Sequence, residues 1–156
     1  MKKIYFFLLI VLFFLLQATI FDSFRIFGVK PDLLLLAALV AGILFDLKWA
    51  LFFGIAAGFL KDVLGVQDAA FNVLFFSCWA ALSVLISKKV HLDAEIYISA
   101  FVFIMVAGYI IVSRIVLAFL GIQTGSTGVF ARTLLLEPLY TALLLPPAYR
   151  IFVRLT

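Results

Sequence analysis

The chain is poor in the residues that build disulfides, metal centres and charged surfaces. It contains one cysteine, Cys78, and one histidine, His91, among 156 residues. A disulfide within the chain is therefore impossible, and the Cys/His spacings of common metal sites are absent. Charged residues make up 13% of the chain, about half the fraction of an average soluble domain. This composition argues against a soluble domain.

The sequence also lacks the motifs of catalytic sites. It contains no nucleophile beside a base, no phosphate-binding loop and no dinucleotide-binding fingerprint. Interior acids are fewer than a proton or ion transporter usually carries. We therefore predict that the protein is not an enzyme and that it needs no cofactor, metal or nucleic-acid partner.

Long apolar runs dominate the sequence instead. The chain is 67% hydrophobic with a mean hydropathy of +1.32, and apolar runs of about 20 residues recur between short polar breaks. This pattern predicts an all-α, polytopic membrane protein that forms a single integral membrane domain over residues 1–156. Its six transmembrane helices are predicted at about 4–21, 32–46, 48–65, 71–87, 96–120 and 129–153.

The basic residues predict how the chain is oriented in the membrane. Six spans put both termini on one side, and Lys and Arg are enriched on the cytoplasmic side of membrane proteins. Seven basic residues share the side of the termini: Lys2, Lys3, Lys48, Lys88, Lys89, Arg150 and Arg154. Four lie toward the other side: Arg25, Lys30, Lys61 and Arg132. The excess predicts cytoplasmic N and C termini.

The predicted third helix carries a stripe of small residues that leads to an acid. Ala50, Gly54 and Gly58 repeat every four residues, and the next step of four reaches Asp62, so these residues share one side of the helix. Small residues let another helix backbone approach closely. Two interpretations remain open: packing within the chain, with the small residues of the second helix as the facing surface, or an interface for a partner that also includes Phe59.

The predicted fifth and sixth helices carry polar residues inside apolar runs, namely Arg114, Arg132 and Glu137, the last followed by Pro138. Intramembrane charges usually face other helices or water, and Arg114 and Glu137 lie at similar depths on adjacent helices. We therefore predict that these two side chains form an ion pair, with the carbonyl of Leu134, freed by Pro138, as a second acceptor for the arginine. The cluster would fix the order of the helices, line an outward-facing pocket or receive another membrane protein.

Four short features resemble a known family, the rod-shape-determining membrane protein MreD. The most specific is Gly54-x-x-x-Gly58-Phe59-Leu60-x-Asp62, which resembles the glycine-rich third segment of that family. Weaker matches are Gln17 late in the first helix, Pro31-Asp32 at the start of the second, and Pro138 in a sixth helix with a basic end. The chain departs from the family at Phe71, where a glycine is common.

The resemblance implies a multi-pass protein of the bacterial inner membrane that belongs to the elongation machinery. Such a protein is a non-catalytic scaffold or adaptor for cell shape and peptidoglycan synthesis. Its expected partners are the bitopic protein MreC, the cytoskeletal protein MreB, the synthase RodA, a class B penicillin-binding protein and membrane lipid. The family's fold is similar to that of substrate-binding subunits of energy-coupling-factor vitamin transporters. A substrate-capture subunit of such a transporter is therefore the alternative function.

Overall fold

The computed structural model describes residues 2–23, 28–65, 71–90, 95–122 and 126–155. They form six helices, which confirms the predicted all-α class and helix number: α1 (Lys2–Ser23), α2 (Leu33–Leu44), α3 (Leu47–Leu64), α4 (Phe71–Ser87), α5 (Glu95–Phe119) and α6 (Thr127–Leu155). Each helix begins and ends within two residues of its predicted bounds. His91 lies outside the described residues.

The short helix α2 is the centre of the bundle. All of its residues from Leu33 to Gly42 are buried, and it contacts each of the other five helices. Its sequence, LLLLAALVAGIL, has no polar face, and a helix that is apolar all round is buried on all sides. At about 1.5 Å per residue, its 12 residues span only about 18 Å.

Two helices are long and apolar enough to cross a membrane, Ile96–Phe119 in α5 and Thr127–Arg154 in α6. Shorter apolar stretches lie in α1, α2 and α4. The hydrocarbon core of a bilayer is about 30 Å thick, so α2 alone is too short, and α3 includes three charged residues. By length and composition, the described residues therefore contain two candidate spans rather than the six predicted.

The outer surface of the bundle is strongly apolar. Large exposed hydrophobic side chains lie on every helix except α2. Phe59, Ile104 and Leu143, on three different helices, are each more than 60% exposed. Inside the bundle, the ring of Phe6 lies within 5 Å, centroid to centroid, of those of Phe53 and Phe152. These rings join α1, α3 and α6.

The helix directions bring several polar residues to one end of the bundle. Only Phe45 and Asp46 separate α2 from α3, so these two contacting helices run antiparallel. The late part of α1 lies beside the start of α2, where the side-chain oxygen of Gln17 accepts a hydrogen bond from the backbone N–H of Leu34. The end of α3 likewise meets the start of α4.

Candidate functional site: a polar pocket where the helix ends meet

The small-residue stripe of α3 packs against α4. Ala50, Gly54 and Gly58 are all buried. A Cβ atom added at Gly54 would lie 2.8 Å from the carbonyl oxygen of Phe76, and one added at Gly58 would lie 2.5 Å from that of Asn72. These distances are shorter than a van der Waals contact, so only glycine permits this approach of the two backbones.

The sequence left two facing surfaces open for this stripe, the small residues of α2 or a partner, and the structure places Gly54 and Gly58 against a third, the backbone of α4. Gly42 of α2 also faces α4, where an added Cβ would lie 2.6 Å from the carbonyl oxygen of Ala80. α4 therefore fits against small residues of two helices at once. Since α4 covers Gly54 and Gly58, a partner cannot use these glycines without displacing it. Phe59, in contrast, points outward and is 61% exposed.

Asp62 ties the end of α3 to the start of α4. One carboxylate oxygen accepts hydrogen bonds from the backbone N–H and the side-chain amide of Asn72, at 3.1 and 2.7 Å. The other oxygen accepts from the backbone N–H of Val73 at 3.1 Å. These backbone groups belong to the first turn of α4, whose N–H groups have no partner within the helix. The negative charge also suits the positive end of the helix dipole.

Asp32 plays a similar part at the start of α2 and adds an ion pair. Its side chain caps the helix by accepting from the backbone N–H of Leu35 at 3.1 Å. Its second carboxylate oxygen lies 2.7 Å from Nζ of Lys61. Asp32 is 1% exposed and Lys61 is 24% exposed, so the pair is largely shielded from water. The backbone N–H of Asp32 donates a hydrogen bond to the hydroxyl of Thr141 on α6.

A cavity of about 250 Å³ lies beside this ion pair. Its lining includes Gln17, Lys30, Lys61, Leu64, Asn72 and Tyr109. The hydroxyl of Tyr109 donates to the side-chain oxygen of Asn72 at 2.7 Å, so α5 joins the network that starts at Asp62. We call this cavity, with those six residues, the polar pocket.

Gln17 is held in the polar pocket by one end of its amide. Its oxygen accepts a hydrogen bond from the backbone N–H of Leu34 at 3.3 Å. Its amide nitrogen Nε2 is the one buried side-chain polar atom without a hydrogen-bond partner within the described part of the chain. The side chain is 1% exposed, so bulk water does not reach it readily.

The predicted cluster on α5 and α6 is divided by the structure. Glu137 interacts electrostatically with Asp32, Lys61 and Lys30. The guanidinium of Arg114 instead lies 4.1 Å from the ring centroid of Phe130. The structure therefore gives these two side chains different neighbours from those expected for an Arg114–Glu137 ion pair.

The other two members of that cluster are also separated. Arg132 is exposed near the start of α6, whereas Pro138 is buried inside this continuous helix. Thr141 follows one turn later, and its hydroxyl donates to the carbonyl of Glu137 at 2.7 Å. Through Thr141, the proline-containing part of α6 is linked to Asp32.

The structure thus brings together four predicted residues that are far apart in sequence: Gln17, Asp32, Asp62 and Glu137. Four others in the network were not predicted: Lys61, Asn72, Tyr109 and Thr141. Each is a rare polar residue in an apolar helix, and such residues usually face protein or water rather than lipid. That signal could have found them, although only the fold shows which of them meet.

The polar pocket offers hydrogen bonds and charge, without a metal centre. No group of three His, Cys, Asp or Glu side chains in the described ranges is placed to hold a metal ion. Comparison of the chain with protein-family models, curated proteins and solved structures found no match.

Proposed function

We propose that the protein is a multi-pass membrane scaffold of the MreD type, which holds cell-wall synthesis proteins together without catalysis of its own. The apolar outer surface supports the membrane location, because a soluble monomer rarely exposes large contiguous apolar patches. The short length of α2 is compatible with six membrane-embedded helices, since α2 is enclosed by its neighbours and needs no contact with lipid.

The observation that carries this proposal is the gathering of the residues on which the resemblance rests. Gln17, Asp32 and Asp62 come from three separate motifs, yet all three lie at or beside the polar pocket. Gly58 enables the α3–α4 contact one turn before Asp62. Short motifs that match by chance would have no reason to meet in space, whereas the motifs of one family would.

The proposed topology places both termini in the cytoplasm and the polar pocket toward the outer face. Reporter fusions after Arg154 and in the loop between α5 and α6 are expected to lie on opposite sides of the membrane. Reporters on the same side would contradict the six-span arrangement, because α6 would not cross the bilayer.

The scaffold function is tested by purifying the tagged chain in a mild detergent from its own bacterium. We expect MreC, RodA and the class B penicillin-binding protein to be recovered by mass spectrometry, relative to an unrelated tagged membrane protein. Because Phe59 is the outward-facing member of the predicted interface, Phe59→Ala should reduce this recovery, whereas Ile104→Ala, an equally exposed change on α5, should not. A folded chain that recovers none of the three would contradict the scaffold function.

A substrate-capture subunit of an energy-coupling-factor transporter is the second candidate, and the polar pocket is the observation that favours it. The same purification separates the two functions. Recovery of a pair of ATPases with a transmembrane coupling protein would support the capture subunit.

A further inference from the structure

One buried amide in the polar pocket has two N–H donors that no group in the described part of the chain accepts. The oxygen of Gln17 is used by the backbone of Leu34, whereas Nε2 has no partner among the described residues. Buried polar groups are nearly always hydrogen-bonded, because an unpaired one is destabilising. The side chain lines a cavity, so a group bound there could accept these bonds.

The charged groups that line the polar pocket are cations. Lys30 and Lys61 are both part of the lining, and Lys61 donates to Asp32, which leaves two of its three N–H groups for another acceptor. The nearby carboxylates of Asp32 and Asp62 are engaged by backbone and side-chain donors. The pocket therefore presents hydrogen-bond donors and selects for a ligand with acceptor oxygens.

We propose that the polar pocket binds an anionic group, a carboxylate or a phosphate, through Nε2 of Gln17 and the ammonium groups of Lys61 and Lys30. The volume of about 250 Å³ lies below the roughly 300–1,000 Å³ of sites for drug-sized ligands, so the bound part is a small anion or a headgroup. The carboxylates of Asp32, Asp62 and Glu137 interact electrostatically with Lys61 and balance the charge of the two lysines, so directed hydrogen bonds rather than net charge select the ligand. The proposal does not depend on which assembly the chain joins.

The phosphate arm of the test uses the full chain, purified and freed of lipid in an uncharged detergent, and titrated with inorganic phosphate. A second arm places the chain in phosphatidylcholine nanodiscs with or without phosphatidylglycerol. Thermal midpoints and native mass spectrometry report binding in both. Stabilisation by inorganic phosphate identifies a soluble anion as the ligand, and stabilisation by phosphatidylglycerol alone identifies a lipid headgroup.

Gln17→Glu is the decisive variant. It keeps an oxygen for the backbone of Leu34 but replaces the two amide donors by a carboxylate oxygen. We expect it to weaken binding about ten- to a hundredfold, since a hydrogen bond to a charged group is lost. Gln17→Leu serves as a second variant without the donors, should the glutamate impair folding. Lys48→Gln, which removes an exposed charge at the opposite end of α3, should leave binding unchanged.

Three results would overturn the proposal: no response to either probe, equal binding to Gln17→Glu and the unmodified chain, or the same response to phosphatidylcholine alone as to phosphatidylglycerol. The amide would then be satisfied by water only. None of these results bears on the recovery of MreC or RodA, so failure of this site and failure of the scaffold function are distinguishable.

Discussion

Gly58 is the residue whose substitution tests the packing of the bundle most directly. A Cβ atom there would lie 2.5 Å from the carbonyl oxygen of Asn72 and 2.6 Å from Cα of Val73. Both atoms belong to the backbone of α4 and cannot rotate away as a side chain would. Non-bonded carbon atoms prefer separations of about 3.5–4.0 Å. The two helices would therefore have to move apart by about 1 Å at this point.

This displacement would also act on Asp62, one turn further along α3. Its carboxylate bonds the N–H groups of Asn72 and Val73 at 3.1 Å each, and an extra ångström would break both bonds. Overpacking costs about 1–3 kcal/mol, and the loss of a helix N-cap about 0.5–2 kcal/mol. We expect Gly58→Ala to lower the free energy of unfolding by about 2–4 kcal/mol. For a chain of this length, the melting temperature should fall by about 5–15 °C.

Two other glycines supply graded controls in the same assay, the melting temperature of the purified chain in detergent. At Gly54 the nearest atom to an added Cβ is the carbonyl oxygen of Phe76, at 2.8 Å, so Gly54→Ala should cost less. At Gly108 the only close atom belongs to the side chain of Trp79, at an ordinary 3.6 Å. Gly108→Ala should be neutral or slightly stabilising, because alanine favours the helix. Equal melting temperatures for Gly58→Ala and Gly108→Ala would refute the close α3–α4 contact.

Two further predictions concern charged groups and use double-mutant cycles read by the same assay. Asp32→Asn keeps a capping residue but removes the charge. Asp32→Asn and Lys61→Met should therefore show a coupling energy of about 1–3 kcal/mol. A coupling energy near zero would mean that the ion pair does not form. Arg114→Met and Glu137→Gln should be additive within about 0.5 kcal/mol, because the two side chains have different neighbours. Partial rescue of stability in that double variant would instead show that the two side chains form the ion pair expected from the sequence.

The number and bounds of the helices could be predicted from sequence because their signals are local. Pro31 and Asp32 mark the start of α2, and Asp46 marks a break between two apolar runs. The central position of α2 was harder to predict, since it depends on all the other helices. One local sign was present: its apolar residues show no polar face, whereas α3 carries Lys61 and Asp62.

The site could be predicted only residue by residue. Gln17, Asp32, Asp62 and Glu137 stood out as polar residues in or beside apolar runs, but their partners depend on which helices are neighbours in space. Adjacency in the chain suggested that α5 and α6 should pair their charges. The structure instead places Glu137 near residues of α2 and α3, because α6 also packs against α2.

The contacts at the end of α3 depend on one another. Gly58 lets the α4 backbone come close, and only then can Asp62 reach the first turn of α4. The side chain of Asn72 donates a hydrogen bond to Asp62 and accepts one from the hydroxyl of Tyr109 at the polar pocket. The neighbouring Lys61 meets Asp32 on α2 from the same helix turn. Gly58 therefore determines the side of the polar pocket formed by Asn72 and Tyr109, whereas Gln17 and Lys61 are placed by their contacts with Leu34 and Asp32.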